Sequence, residues 1–257
     1  MIKKFKLVTE SPGQSATDEQ LSMMMTRYSL AKDYSINKDV LEIACGSGTA
    51  LGYLSEVAES VVGGDIDLDL LKIASTNNEN DKKISVKFID AQNIELPNSY
   101  FDTIIFFEAI YYLDDISKFV EESLRVLRPK GTILISTVNC EWHGFNASPF
   151  FTRYSTAEDL INLFPESVCV KLLMSFLDSP KKSNYFVSLI RRIAIILNLV
   201  PRTMKGKQLL KRIFYGKLTK IPSQLYDGLG KVNNFVDYKD HKYEVENYKQ
   251  LYLIINK

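Results

Sequence analysis

The chain of 257 residues has little of what marks a stapled or metal-held protein: three cysteines and two histidines. Cys45, Cys140 and Cys169 are odd in number and far apart. They offer neither a disulfide framework nor a zinc motif, and they fit a reducing compartment. Neither sign of charge dominates: Lys and Arg number 32, Asp and Glu 31, for a formal net charge of +1. The overall balance therefore gives no argument for a nucleic-acid partner. No apolar run approaches the roughly 20 residues needed to span a bilayer. The stretch Met1-Ile2-Lys3-Lys4-Phe5 lacks the apolar core of a signal peptide, so a cytoplasmic location is expected. There is no internal repeat. With 46% hydrophobic and 25% charged residues, the chain reads as one large globular domain, or one domain with an insertion.

What it does have is alternation. Residues 15–35 read as an amphipathic helix, with Leu21, Met24, Met25, Tyr28 and Ala31 at helical spacing. Strands are expected at 40–44, 61–65, 85–89, 103–107 and 132–138. Helices are expected at 50–58, 68–80 and 116–127, the last stopped by Arg128-Pro129-Lys130-Gly131. A capping signature at Ser155-Thr156 opens a helix to Phe164, a strand follows at 168–174, and 250–256 suits a final strand. Continuous apolar strands alternating with helices imply an α/β fold with a parallel sheet covered on both faces.

The most informative stretch is Val40-Leu41-Glu42-Ile43-Ala44-Cys45-Gly46-Ser47-Gly48-Thr49. It reads as a buried strand turning through two glycines into a helix, a turn that lets backbone approach a nucleotide closely. Asp65 ends the second strand, and a carboxylate there can accept both hydrogen bonds of a vicinal diol. Asp90-Ala91 follows the third strand, and Glu108-Ala109-Ile110-Tyr111-Tyr112 follows the fourth. Taken singly, each has a plainer reading as a common βα turn, a helix cap or a loop acid.

Taken in order, these motifs resemble the class I S-adenosylmethionine-dependent methyltransferases, over residues 26–138 and plausibly the last nine. Ala44 stands where that family's first glycine falls. The resemblance implies a Rossmann-like, seven-stranded, mostly parallel sheet with helices on both faces and an antiparallel last strand. It implies S-adenosylmethionine as cofactor, on the turn of Glu42, Ala44, Cys45, Gly46 and Gly48. Asp65 would take the ribose, Ile66 the adenine face, Asp90 and Ala91 the adenine edge, and Glu108 the side facing the methyl donor. Arg27 and Tyr28 match a pair that reaches the cofactor's carboxylate; otherwise they are a surface arginine beside a packed tyrosine. A nicotinamide-dependent oxidoreductase fits less well. Leu51 stands where its third glycine is needed, and no Tyr-x-x-x-Lys pair follows the fourth strand.

Removing a proton from an acceptor hydroxyl calls for a base. His143, in the loop after the fifth strand and next to the only tryptophan, Trp142, is the first candidate, unless it merely packs there. Glu108 and Tyr112 are candidates to hold the acceptor. The loop from Glu141 to Ser155 is similar to one in methyltransferases of bacterial polysaccharide clusters, and its mixed aromatics and hydroxyls suit a sugar. From Ser179 to Tyr226 the chain has no Asp or Glu and eleven Lys and Arg. This stretch reads as a basic, largely helical insertion over 177–240, after a lid at 1–35 and within a core of 36–176 and 241–257. It is expected to cap the substrate or rest on an anionic membrane, or else to be a helical cap with solvated lysines. Nucleic acid is not the expected partner, since a proline-rich tetrad is missing after strand four. The expected activity is methyl transfer to an acceptor oxygen on a sugar or lipid-linked glycan. A quinone-like small molecule or a nitrogen acceptor is the alternative, as is a non-catalytic cofactor-binding or scaffolding protein.

Overall fold

The computed structural model describes residues 9–148, 151–178 and 218–257. Most of the basic insertion (179–217), with its expected helical and membrane-facing character, lies outside the described residues. In chain order the elements are β1 (Ser15–Ala16), α1 (Asp18–Asp33), β2 (Asp39–Ile43), α2 (Leu51–Ser55), β3 (Ser60–Asp65), α3 (Leu68–Asn78), β4 (Ile84–Phe88) and β5 (Phe101–Phe107). Then follow α4 (Ile116–Val126), β6 (Leu127–Val138), α5 (Ala157–Ile161), β7 (Cys169–Leu177), β8 (Thr219–Lys220), β9 (Val236–Asp237) and β10 (Tyr248–Asn256).

The main sheet runs β4-β3-β2-β5-β6-β10-β7-β9. The β2–β3, β2–β5, β3–β4 and β5–β6 ladders are parallel. β10 lies antiparallel between β6 and β7. Seven strands were expected; the eighth, β9, is a two-residue edge paired with Leu173 and Met174 of β7. It is too short to leave a periodic trace in the sequence.

Successive β2 side chains point to opposite faces, and both faces are covered. Leu41 and Ile43 join the core shared with Phe119 of α4 and Leu160 of α5. Val40 joins the core shared with Ala31 of α1, Leu51 of α2 and Leu71 of α3. This two-sided burial is why the parallel strands read as continuous apolar runs.

Helix α1 begins three residues later than its apolar spacing suggests. Thr17 caps it: its hydroxyl accepts from the Gln20 amide while the Gln20 side chain accepts from the Thr17 amide. Ser15 and Ala16, instead of adding a turn, pair with Lys220 and Thr219. Residues 218–230 thus lie as a strap beside α1 and α2, where Ile221 and Leu225 pack on Met24, Met25, Ala50 and Tyr53.

The β2–α2 turn takes left-handed backbone at Ala44 (φ 58°), Gly46 (φ 56°) and Gly48 (φ 68°). Gly48 has no room for a Cβ, which would come within 2.7 Å of the Ala74 Cβ on α3. Ala44 carries a Cβ in a conformation that strains an L-residue. Ala44→Gly is expected to stabilise the fold by about 0.5–1 kcal/mol, strain relief less glycine's extra unfolded entropy. Tm should rise by about 1–3 °C in a thermal melt; a fall would contradict a strained Ala44.

Candidate functional site

The carboxyl ends of β2, β3, β4 and β5 open onto one cavity of about 460 Å³, a size suited to a small-molecule ligand. One wall is the turn Ala44-Cys45-Gly46 with Thr49 and Ala50; another is Asp65-Ile66 and Ile89-Asp90-Ala91. Arg27 and Tyr28 of α1 close it from above, and Glu108, Tyr111, Tyr112 and Asp114 form the far end.

Asp65 is buried, and its carboxylate is held from two sides. Oδ2 accepts from the Gly46 amide at 2.9 Å and Oδ1 from the Asp67 amide at 2.8 Å. Burial pushes its carboxyl up from the usual range, against those amide bonds. Each oxygen keeps acceptor capacity, which a vicinal diol can use. Ile66 beside it is 46% exposed, an apolar face against the cavity. Asp90 accepts from the Gln92 amide at 2.9 Å, fixing the turn after β4.

At the far end the Glu108 carboxylate gathers donors. The Tyr111 hydroxyl donates to it at 3.3 Å and the Ser136 hydroxyl at 3.4 Å. With the Gln250 amide turned so that its nitrogen faces these acceptors, it donates to Glu108 at 2.9 Å and to the Thr137 carbonyl at 3.3 Å. Burial raises the Glu108 carboxyl, while Arg27 and the two hydroxyls oppose the rise. Tyr111 and Tyr112 meet edge to face at 4.5 Å, and Tyr154 lies against Tyr111 at 4.9 Å. Tyr112 and Ser148 share a hydrogen bond of 3.2 Å. The far end is thus an aromatic wall with hydroxyls and one carboxylate.

Three expected residues stand elsewhere. Glu42 lies beneath the turn, 2% exposed, accepting from the Tyr28 hydroxyl at 2.6 Å. It orients Tyr28 and does not line the cavity. Gly48 seats α3 against the turn. His143 lies outside the cavity lining, with its side chain 59% exposed and Nε2 3.4 Å from Glu246. The cause is Asn139, whose side chain donates to the Val245 and Tyr248 carbonyls and turns the loop onto residues 245–249. Trp142 goes the same way; its indole donates to Asp178 at 3.0 Å and sits under Lys249. Neither residue lines the cavity.

Sequence reasoning missed Glu10 and Leu225, and gave Tyr111 no role of its own, though all three are in the cavity wall. Leu225 has no local signal, since its place depends on its amide donating to the Thr49 carbonyl at 2.9 Å. Glu10 pairs with the buried Arg27 guanidinium. Burial works to lower the pKa of that guanidinium, and the fields of Glu10, Tyr28 and Glu108 outweigh it and raise it.

Residues 41–135 match the methyltransferase domain family. Over that segment the chain is similar to S-adenosylmethionine-dependent methyltransferases. A protein of Mycolicibacterium smegmatis named as a probable S-adenosylmethionine-dependent methyltransferase is 32% identical over 130 residues, covering 49% of each chain. A ubiquinone biosynthesis O-methyltransferase of Bartonella tribocorum is 26% identical over 121 residues, covering 46% of this chain and 48% of that one. The chain thus spans about half the length of the curated relatives it matches. In fold it is similar to a solved SAM-dependent methyltransferase from Thermotoga maritima, with TM-score 0.59, 13% identity and coverage of 93% and 91%. Among the described residues no helix is long and apolar enough to cross a membrane.

Burial pushes the Glu42 carboxyl up from 4.5 to about 7, although the Tyr28 hydroxyl and Arg27 oppose it. A carboxyl raised in the fold contributes stability that is present below its unfolded pKa and lost as pH rises through the folded one. The cofactor-free protein should therefore lose stability between about pH 4.5 and 7 from this group. Glu42→Gln should melt above wild type at pH 8 and level with it at pH 4. A difference in Tm independent of pH would refute a titrating Glu42.

Proposed function

We propose that this chain transfers the methyl group of S-adenosylmethionine to an acceptor hydroxyl on a small ring-shaped molecule. The supporting observation is that one cavity joins the Asp65 and Asp90 walls to the Glu108, Tyr111 and Tyr112 end. The residues present fit the cofactor. Asp65 has acceptor capacity for the ribose, and the Arg27 Nε is buried without a hydrogen-bond partner. When bound, S-adenosylmethionine supplies a methyl carbon made electrophilic by its sulfonium.

In this reading Gly46, Asp65 and Ile66 hold the nucleoside, Asp90 and Ala91 the adenine edge, and Arg27 the carboxylate. Tyr111 and Tyr112 stack the acceptor ring, which fixes its orientation and keeps water from it. Glu108 takes the acceptor's proton at its carboxylate, which Tyr111, Ser136 and Gln250 hold in place by donating to it. The oxygen acceptor gains support from the likeness to ubiquinone-pathway O-methyltransferases and from the lining hydroxyls. Residues 9–35 and the strap 218–230 border the same mouth, through Glu10, Arg27 and Leu225.

The test combines binding and turnover. Asp65→Ala should weaken S-adenosylhomocysteine binding by about tenfold or more in calorimetry, the worth of a charge-assisted hydrogen bond. Glu108→Gln should leave a folded, cofactor-binding protein whose methyl transfer to phenolic acceptors falls by about 10²–10⁴. Unchanged affinity in the first variant would overturn the ribose assignment. Unchanged turnover in the second would remove Glu108 as the base.

A further inference from the structure

We propose that Glu10 is a cofactor-binding residue: with Arg27 it reads the amino-acid end of S-adenosylmethionine, Arg27 taking the carboxylate and Glu10 the ammonium. The inference rests on the cofactor reading above, and it adds a residue and a rearrangement to it.

The first support is charge. Glu10, Arg27 and Glu108 form one cluster in the cavity wall, each within the electrostatic field of the others. Two acids and one base leave it one negative charge. The amino-acid end of the cofactor carries a carboxylate, an ammonium and a sulfonium, and so one positive charge. Cluster and ligand neutralise each other, which matters in a site shielded from water.

The second support is an unfinished hydrogen-bond inventory. Arg27 is buried and pairs with Glu10, yet its Nε has no partner. A guanidinium has five donors in a planar fork matched to carboxylates. The arriving carboxylate meets donors that are already placed. Glu10 cannot then stay beside a second carboxylate without a cation between them. The ammonium of an α-amino acid sits on the carbon next to its carboxyl, so a short swing of the Glu10 side chain brings it there.

The third support is how Glu10 is delivered. Thr9 packs so closely on the cofactor turn that a Cβ on Gly46 would lie 2.8 Å from its methyl. Past Glu10, the Gly13 amide donates to the Ile221 carbonyl at 2.8 Å and the Ile221 amide to Gln14 at 2.9 Å. The segment is held on both sides of Glu10, so the carboxylate is aimed into the cavity while its backbone is fixed.

The test is calorimetry on wild type and Glu10→Gln with two ligands: S-adenosylmethionine and 5′-methylthioadenosine, which keeps the nucleoside and lacks the amino-acid end. Glu10→Gln is expected to weaken S-adenosylmethionine by about tenfold, as for loss of one charge-assisted hydrogen bond. It should leave 5′-methylthioadenosine unchanged, which also shows the variant folded. Unchanged or tighter S-adenosylmethionine binding would overturn the inference; tighter binding would make Glu10 a stopper that competes for Arg27. Equal weakening of both ligands would overturn it as well. If wild type binds neither ligand, the cofactor reading itself fails; if it binds both and Glu10→Gln changes nothing, only the role of Glu10 does.

Discussion

The hydrogen bond from the Gly46 amide to the Asp65 carboxylate holds the β2 and β3 walls of the cavity together. It joins the turn after β2 to the end of β3, two loops at the same edge of a parallel sheet. The same carboxylate takes the Asp67 amide, so its plane is set by backbone on both sides. Gly46 is constrained twice, by its left-handed backbone and by Thr9 against its Cα. An acid at 65 therefore shapes the turn before it touches any ligand.

Over this base the site is closed by distant pieces of chain. The Gln224 side chain donates to the Asn77 carbonyl and the Asn78 side chain, at 2.9 Å each. The Tyr53 hydroxyl donates to Asp227 at 2.5 Å, and the Asn233 amide to the Thr26 hydroxyl at 2.9 Å. These bonds fasten the strap to α2 and α3, and the residues just after it to α1. The far end depends likewise on β10, which contributes Gln250 to the Glu108 donor set. No single segment contains the cavity; the sheet brings its walls to one edge.

The parts legible in the sequence were those with local causes. Apolar runs marked β2, β5, β6 and β10 because each is buried on both faces, and the glycine turn, Asp65 and Asp90 stood out as loop residues at strand ends. Arg128-Pro129-Lys130-Gly131 stopped α4 as read, and β6 begins directly at Leu127 with a shifted register opposite Phe101. What escaped was set by partners far along the chain. Ser15 and Ala16 leave the helix because Thr219 and Lys220 offer them a ladder. His143 leaves the cavity because Asn139 bonds to carbonyls more than a hundred residues later. Composition around a histidine cannot show which way its loop is pulled.

The position of β10 bears on how the chain acquires its shape. This strand, residues 248–256, fills the gap between β6 and β7 and bonds to both along nearly its whole length. During synthesis, β6 and β7 are made more than seventy residues before it, and each presents an open edge until it arrives. Such edges invite pairing with other chains, and closing so distant a contact is slow. The parallel half of the sheet, β2 to β5, can form early from short crossovers. Folding on the ribosome therefore divides the molecule: the half holding Gly46 and Asp65 assembles first, and the antiparallel half, with Gln250, waits for a strand inserted late.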